Sequence, residues 1–170
     1  MDGDQLRQVQ RPLKSRYRDD PGAAVITLRA EGRLGYDDVT CSVRTGRALV
    51  DAGLHPATGG DGTFVCSGDM LLEALVACAG VTLCAVATNW GLQVAGGTVR
   101  AEGDLDVRGT LGVGGDAPVG FSAIRLSFDV DSTASPEELD ALLAATERYC
   151  VVYQTLARPT SVSLSHRPPQ

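Results

Sequence analysis

The chain is short of the groups that most metal, nucleic-acid and membrane functions require. Only 2 histidines occur in 170 residues, and one of them, His166, sits in the C-terminal tail. No metal-ligand cluster is legible, and no metal or cofactor is expected. With 1 Trp, 4 Tyr and 3 Phe, stacking platforms for bases are unlikely. The net charge is −6, and because the first 18 residues are basic the remaining body is more acidic still. Such a body argues against general nucleic-acid binding and against an anionic membrane surface. The longest uncharged apolar stretch, Ala74 to Thr88, falls short of the ~20 residues of a membrane span. The 5 cysteines (Cys41, Cys66, Cys78, Cys84, Cys150) are irregularly spaced with no C-x-x-C, and the first residues lack the apolar core of a secretory signal. Reduced thiols and a cytoplasmic location are therefore expected.

What is present is an ordinary globular composition, 44% hydrophobic and 21% charged. A chain of this length forms one domain and buries roughly 70% of its unfolded surface without a staple. Residues 1–20 are polar and basic and read as a flexible arm, with the domain proper at 21–170. Ala24, Ile26 and Leu28 alternate as a strand; Val39, Cys41 and Val43 suggest a second, with Cys41 turned to the core, and Ala48 to Ala52 a weaker third. A Gly-rich connection follows, Gly53 to Ser67, of a length that is usually functional or disordered.

The segment from Ser67 to Trp90 is apolar at nearly every helical angle, as in a helix buried on all sides. Ser67 or Asp69 can cap its start and Gly91 can close it. A domain this small can seldom enclose such a rod alone, which points to burial by a second subunit. The cleanest alternation spans Thr98 to Arg108 and Ile124 to Asp131, two antiparallel strands with one polar face. The Gly109–Gly120 connector lacks the Gly-Lys-Ser/Thr ending of a phosphate loop and reads as a hairpin loop. Ser135-Pro136-Glu137-Glu138 is a capping-box start for an amphipathic helix ending near Cys150, and Ser161 to Ser165 reads as a last strand. The order gives an α+β fold with antiparallel sheet wrapped on a buried central helix.

Among the cysteines, Cys84 lies six residues beyond Cys78, about 240° round the helix axis, so those two cannot bridge. Cys66 is ambiguous in its loop. Cys150 stands where a short helix can begin, whose amides would lower its pKa. For Cys78 in a buried helix, packing and chemistry both remain open.

The stretch Leu71-Leu72-Glu73-Ala74-Leu75-Val76-Ala77-Cys78, followed by Thr82-Leu83, resembles the central-helix motif of the OsmC/Ohr family. Glu147-Arg148-Tyr149-Cys150-Val151-Val152-Tyr153-Gln154-Thr155-Leu156 resembles its second cysteine motif, in the right order and at the right distance. The resemblance implies an OsmC-like fold in an intertwined homodimer. It also implies thiol peroxidase activity on organic (alkyl or lipid) hydroperoxides in oxidative-stress defence, with a dithiol reductant, possibly a lipoylated protein. Cys78 would then be the attacking cysteine and Cys150 the resolving one. The family activates its thiol with an arginine held by an acid; Arg33 is the best positional match, with Arg44 and Arg47 as alternatives, and Asp69 can supply the acid. Leu75, Val81 and Leu92 are candidate apolar walls for the substrate, and His55 can reach the site or order its loop. Two departures stand out: Ser67-Gly68-Asp69 where the family often has Pro-Glu, and Val151 where it commonly has Pro. The alternatives are a non-catalytic binding protein for a small apolar ligand and a redox sensor.

Overall fold

A 24-residue helix, Ser67–Trp90 (α2), is the axis on which the other elements are placed. The computed structural model describes residues 2–19, 32–35, 40–45, 48–112 and 116–166. In chain order these form α1 (Gly3–Asp19), β1 (Gly32–Gly35), β2 (Thr40–Thr45), β3 (Ala48–Gly53), a 3-10 turn (Pro56–Thr58), β4 (Val65–Cys66) and α2. Then come β5 (Val94–Leu105), α3 (Val107–Thr110), β6 (Phe121–Ser132), α4 (Pro136–Tyr149) and α5 (Val151–Ala157). Strands β1 to β4 make one sheet in sequential order, and β5 pairs with β6 in a second. The expected strand around Ile26, the start of the second at Val39, and Arg47 lie outside the described residues.

The β5–β6 hairpin is antiparallel as its alternation requires, with Val99 opposite Phe128, Ala101 opposite Leu126 and Gly103 opposite Ile124. These positions bear on the α2 stripe of Leu75, Ala79, Leu83 and Ala87, repeating every four residues. The other face carries Arg125 beside Asp104 and Glu102, exposed ion pairs that add little to stability. A Cβ at Gly103 would lie 2.5 Å from the Phe121 ring, so only glycine lets that ring cross the strand. Leu142 of α4 is fully buried beneath Leu83 and Ala87. Its helix starts on the Ser135–Glu138 capping box that the sequence indicates.

Several expectations are corrected. The N-terminal arm is helical from Gly3 to Asp19, held by a reciprocal cap in which Asp2 accepts from the Gln5 amide (2.8 Å) and Gln5 from the Asp2 amide (3.0 Å). It lies against the end of α2, where Arg7 donates to the Asn89 carbonyl at 2.9 Å. Within the single chain, helix α2 is buried on one stripe and Val81 stays 71% exposed, so the all-round burial expected from sequence would need a second subunit. Its N-cap is Cys66, with no side-chain hydrogen bond from Ser67 or Asp69, whereas Gly91 closes it in the left-handed conformation at φ 74°. By length and composition α2 could cross a membrane; its packing against the hairpin, α4 and α5 marks it as a core helix. Val107 and Arg108 leave the strand because Asp106 caps a short helix there. Residues 161–166 pair with no strand among the described residues, and Leu164 is fully exposed.

Candidate active site: the Cys78–Cys150 pair

Cys150 sits where two helices meet. It is the residue that ends α4, its amide donating to the Thr146 carbonyl at 2.9 Å, and also the N-cap of α5. Its Sγ accepts from the Tyr153 amide at 3.5 Å, and the residue is only 1% exposed. The chain turns there because Cys150 adopts an extended conformation between helical neighbours (φ −73°, ψ 110°), which points the first turn of α5 at the middle of α2. Cys78, half-buried, lies at that point, packed on Leu75, Ala79 and Cys150. Both thiols are free.

The pair is electrostatically unequal. For Cys78, burial pushes the thiol up, but hydrogen bonds from the Val152 amide, the Cys150 thiol and the Val151 amide outweigh it, so the group titrates below the usual thiol range. The Thr82 hydroxyl is a lesser contributor to that shift. Its single proton is already donated to the Cys78 carbonyl at 2.7 Å. For Cys150, burial pushes the thiol up and the neighbouring Cys78 thiolate adds to the rise; the Tyr153 and Val152 amides oppose it without reversing it. The amides heading α5 are thus shared: Val151 and Val152 lower Cys78, while Tyr153 bonds Cys150 without overcoming its burial, so the lowered thiol is Cys78 and not, as expected from sequence, Cys150. The two sulfurs are therefore neighbours of unequal acidity, Cys78 the more acidic thiol and Cys150 the less. Two consequences for stability follow from linkage. The depressed Cys78 value contributes stability above the thiol pKa of the unfolded chain, lost as pH falls through the folded value. The raised Cys150 value contributes below the unfolded pKa and is lost as pH rises through the folded one.

The remaining candidates are dispersed. Leu75 is 2% exposed and supports the two cysteines from the core instead of lining an open wall. His55 orders its own loop: its Nδ1 accepts from the Ala57 amide at 3.0 Å and caps the 3-10 turn. Asp69 is exposed in the first turn of α2, nine residues and two and a half turns before Cys78, hence on the opposite side of the helix. Arg33 lies on β1 and Arg44 on β2, but their side chains, like all of Arg47, are outside the described residues. Arg108 and Arg125 are paired with carboxylates, and Arg148 lies over the Tyr149 ring. Val81 is exposed, and Leu92 lines a separate cavity of about 390 Å³ with Cys84 and Ala87. Among the described residues no group of three metal-ligating side chains occurs.

Two features escaped the sequence. Tyr153 donates its hydroxyl to Glu147 at 3.2 Å, and burial, with that carboxylate, raises its pKa. Beside them a cavity of about 330 Å³ opens between β6, α4 and α5, with Cys150 in its wall. Both residues stand three positions from Cys150, a spacing that puts them near it once helices flank the cysteine.

The OsmC-like protein family model matches residues 60–165, which span both cysteines and most of the described core. The chain belongs to the OsmC-like family. Its fold is similar to that of an OsmC-like protein from Mycoplasma pneumoniae (TM-score 0.65, 16% identity, 78% of this chain and 88% of that one). It is also similar to an organic hydroperoxide resistance protein OsmC from Legionella pneumophila (TM-score 0.61, 16% identity, 78% and 90% covered). A third similar structure is the organic hydroperoxide resistance protein OhrB of Bacillus subtilis (TM-score 0.51, 19% identity, 76% and 89% covered). No curated protein matches by sequence. At these identities the OsmC-like likeness establishes the fold, and the chemistry must be argued from the pair itself.

Within that pair, the Val151 amide is a donor that proline cannot supply. Val151→Pro suits the first position of α5 sterically but removes that hydrogen bond. The pH profile of Cys78 alkylation, resolved by peptide mass, is expected to move to higher pH. An unchanged profile would show that the Val151 amide does not hold the thiolate.

Proposed function

We propose that this OsmC-like protein is a two-cysteine thiol peroxidase for organic hydroperoxides. The observation that carries the proposal is the half-buried Cys78 packed against the buried Cys150, with the Cys78 thiol lowered and the Cys150 thiol raised from the ordinary range. A nucleophilic sulfur and a proton-bearing second sulfur in contact are what a two-step peroxide reduction needs. The Cys78 thiolate attacks an oxygen of the O–O bond, the bond breaks, and the alkoxide leaves as alcohol with a proton. Cys78 is left as a sulfenic acid. Cys150 sulfur then attacks the Cys78 sulfur, the S–O bond breaks, and the hydroxide departs as water with the Cys150 proton. The balance is one hydroperoxide and two thiols to one alcohol, one water and one disulfide. A dithiol then restores the pair. Apolar surroundings (Leu75, Val99, Ala101, Phe128) favour an alkyl or lipid peroxide over hydrogen peroxide. Arg33 is kept in the proposal as a further cation for Cys78, without Asp69, which faces the opposite side of α2; the amides already supply part of what the arginine would provide.

The working unit in this proposal is a homodimer. Ala74, Ala77, Val81 and Cys84, on the side of α2 away from the buried stripe, are exposed, Val81 to 71%, and a second copy of the helix is the complementary surface. Val81→Asp would place a charge there. Sedimentation of the wild-type chain as a dimer and of this variant as a monomer is expected; a monomeric wild type would remove the dimer from the account.

The activity is tested by adding one equivalent of cumene hydroperoxide and counting free thiols. Loss of two thiols, joined as Cys78–Cys150 on peptide mapping and abolished by Cys78→Ser, is the expected result. An unchanged thiol titre would leave a binding protein with inert thiols as the better description.

A further inference from the structure

Helices α4 and α5 are separate only because the chain breaks at Cys150, yet Tyr149-Cys150-Val151-Val152 contains neither glycine nor proline. A proline after the cysteine, which the family commonly has, would enforce such a break in two ways. Its ring clashes with the carbonyl four residues back, and it drives the residue before it into the extended region. Val151 does neither. A valine leaves the chain free to continue α4 as one helix, with the Val151 amide bonded to the Glu147 carbonyl in the ordinary four-residue pattern.

In the structure that carbonyl is taken by a side chain. Gln154 Nε2 donates to the Glu147 carbonyl oxygen at 2.9 Å, and the Tyr153 hydroxyl donates to the Glu147 carboxylate at 3.2 Å. Both contacts require the break. In a continuous helix Gln154 would stand roughly 10 Å along the axis from Glu147, further than its side chain reaches, and Tyr153 would lie about 240° round from it. We infer that Gln154 and Tyr153 are positioning residues: they clasp Glu147, hold the helix open at Cys150 and so keep the Val151 amide turned to Cys78. The inference deepens the proposed function, on which it rests in taking Cys78 as the attacking thiol. The clasp does by hydrogen bonds what proline does by steric exclusion, and it leaves the Val151 hydrogen in place.

Three physical arguments support it. Contacts that exist in one of two conformations shift the balance toward that conformation by their full worth. Helix α5 has 7 residues, too few to keep its course unaided, and it is joined to α4 through the single extended residue Cys150. Tyr153 also grips the site from the other side: its amide donates to Cys150 Sγ at 3.5 Å, and its ring packs on the core cluster of Leu75, Ala79 and Cys150. The side-chain bonds to Glu147 are themselves exposed, so they can be removed without opening that cluster.

The test is alkylation of Cys78 by iodoacetamide in the reduced protein, resolved by peptide mass, and it involves no hydroperoxide. Gln154→Leu, at a half-buried position outside the core cluster, is expected to move the pH profile upward. At a fixed pH below the ordinary thiol range the rate is expected to fall about fivefold, the worth of one such hydrogen bond. Tyr153→Phe keeps the ring and is expected to act in the same direction, which preserves the test if Gln154→Leu folds poorly. The deciding variant combines Gln154→Leu with Val151→Pro. Proline holds the break by itself and has no amide to lose, so Gln154→Leu is expected to add nothing to the effect of Val151→Pro. An unchanged profile in the single variants, or an equal fall in the proline background, would overturn the inference. If two thiols are still lost to one equivalent of cumene hydroperoxide, that result leaves the peroxidase in place. Conversely, the expected alkylation shifts with an unchanged thiol titre in the wild-type chain would remove the peroxidase and leave the clasp acting on an idle thiol.

Discussion

The site depends on one contact, the first turn of α5 against the middle of α2. Burying a thiol on a core helix disfavours its ionised form, so a reactive cysteine there must receive donors from elsewhere. The turn at Cys150 provides them. Because Cys150 ends one helix and begins the next, the first amides of α5 are left without helical acceptors, and those of Val151 and Val152 act on Cys78. The same turn delivers the second thiol. Remove the contact and both the lowered pKa of Cys78 and the proximity of Cys150 disappear together.

The rest of the fold is arranged to keep that contact in place. The four-residue repeat Leu75, Ala79, Leu83, Ala87 seats α2 on the β5–β6 hairpin, and Leu142 anchors α4 to the same stripe. The position of α4 then determines where α5 begins. Alternation of leucine with alanine along the stripe is a packing device, since the small residues let neighbouring elements approach closely. The departure at Val151 gains a meaning here. A proline at that position would fit α5 but bring no hydrogen, so this chain has one more donor on its thiolate than a proline-bearing relative could have.

Much of this was legible in the sequence where the signal is local and periodic. The alternation through Val99 and Ala101, the Ser135–Glu138 box and the Gly91 stop all correspond to observed elements. The helical arm was missed although Asp2 and Gln5 have capping-box spacing; basic, Gln-rich composition outweighed a short motif. Val162 and Leu164 alternate as a last strand would, but among the described residues no strand pairs with them. At the site, the two cysteines were found through their motifs and not through spacing. Which thiol the α5 amides serve could not be read from order along the chain, because it depends on the direction in which Cys150 turns the backbone. Leu75 is expected from sequence as a substrate contact and His55 either as one or as a residue ordering its loop; His55 caps the 3-10 turn and Leu75 packs in the core beside the cysteines.

The central claim is the order of ionisation, and it can be observed directly. Cysteine labelled with 13C at Cβ reports each thiol's titration by its chemical shift. Using the reduced protein, the account predicts that Cys78 titrates below the ordinary thiol range and Cys150 above it. Titration of Cys150 first, or of both at the ordinary value, would contradict it.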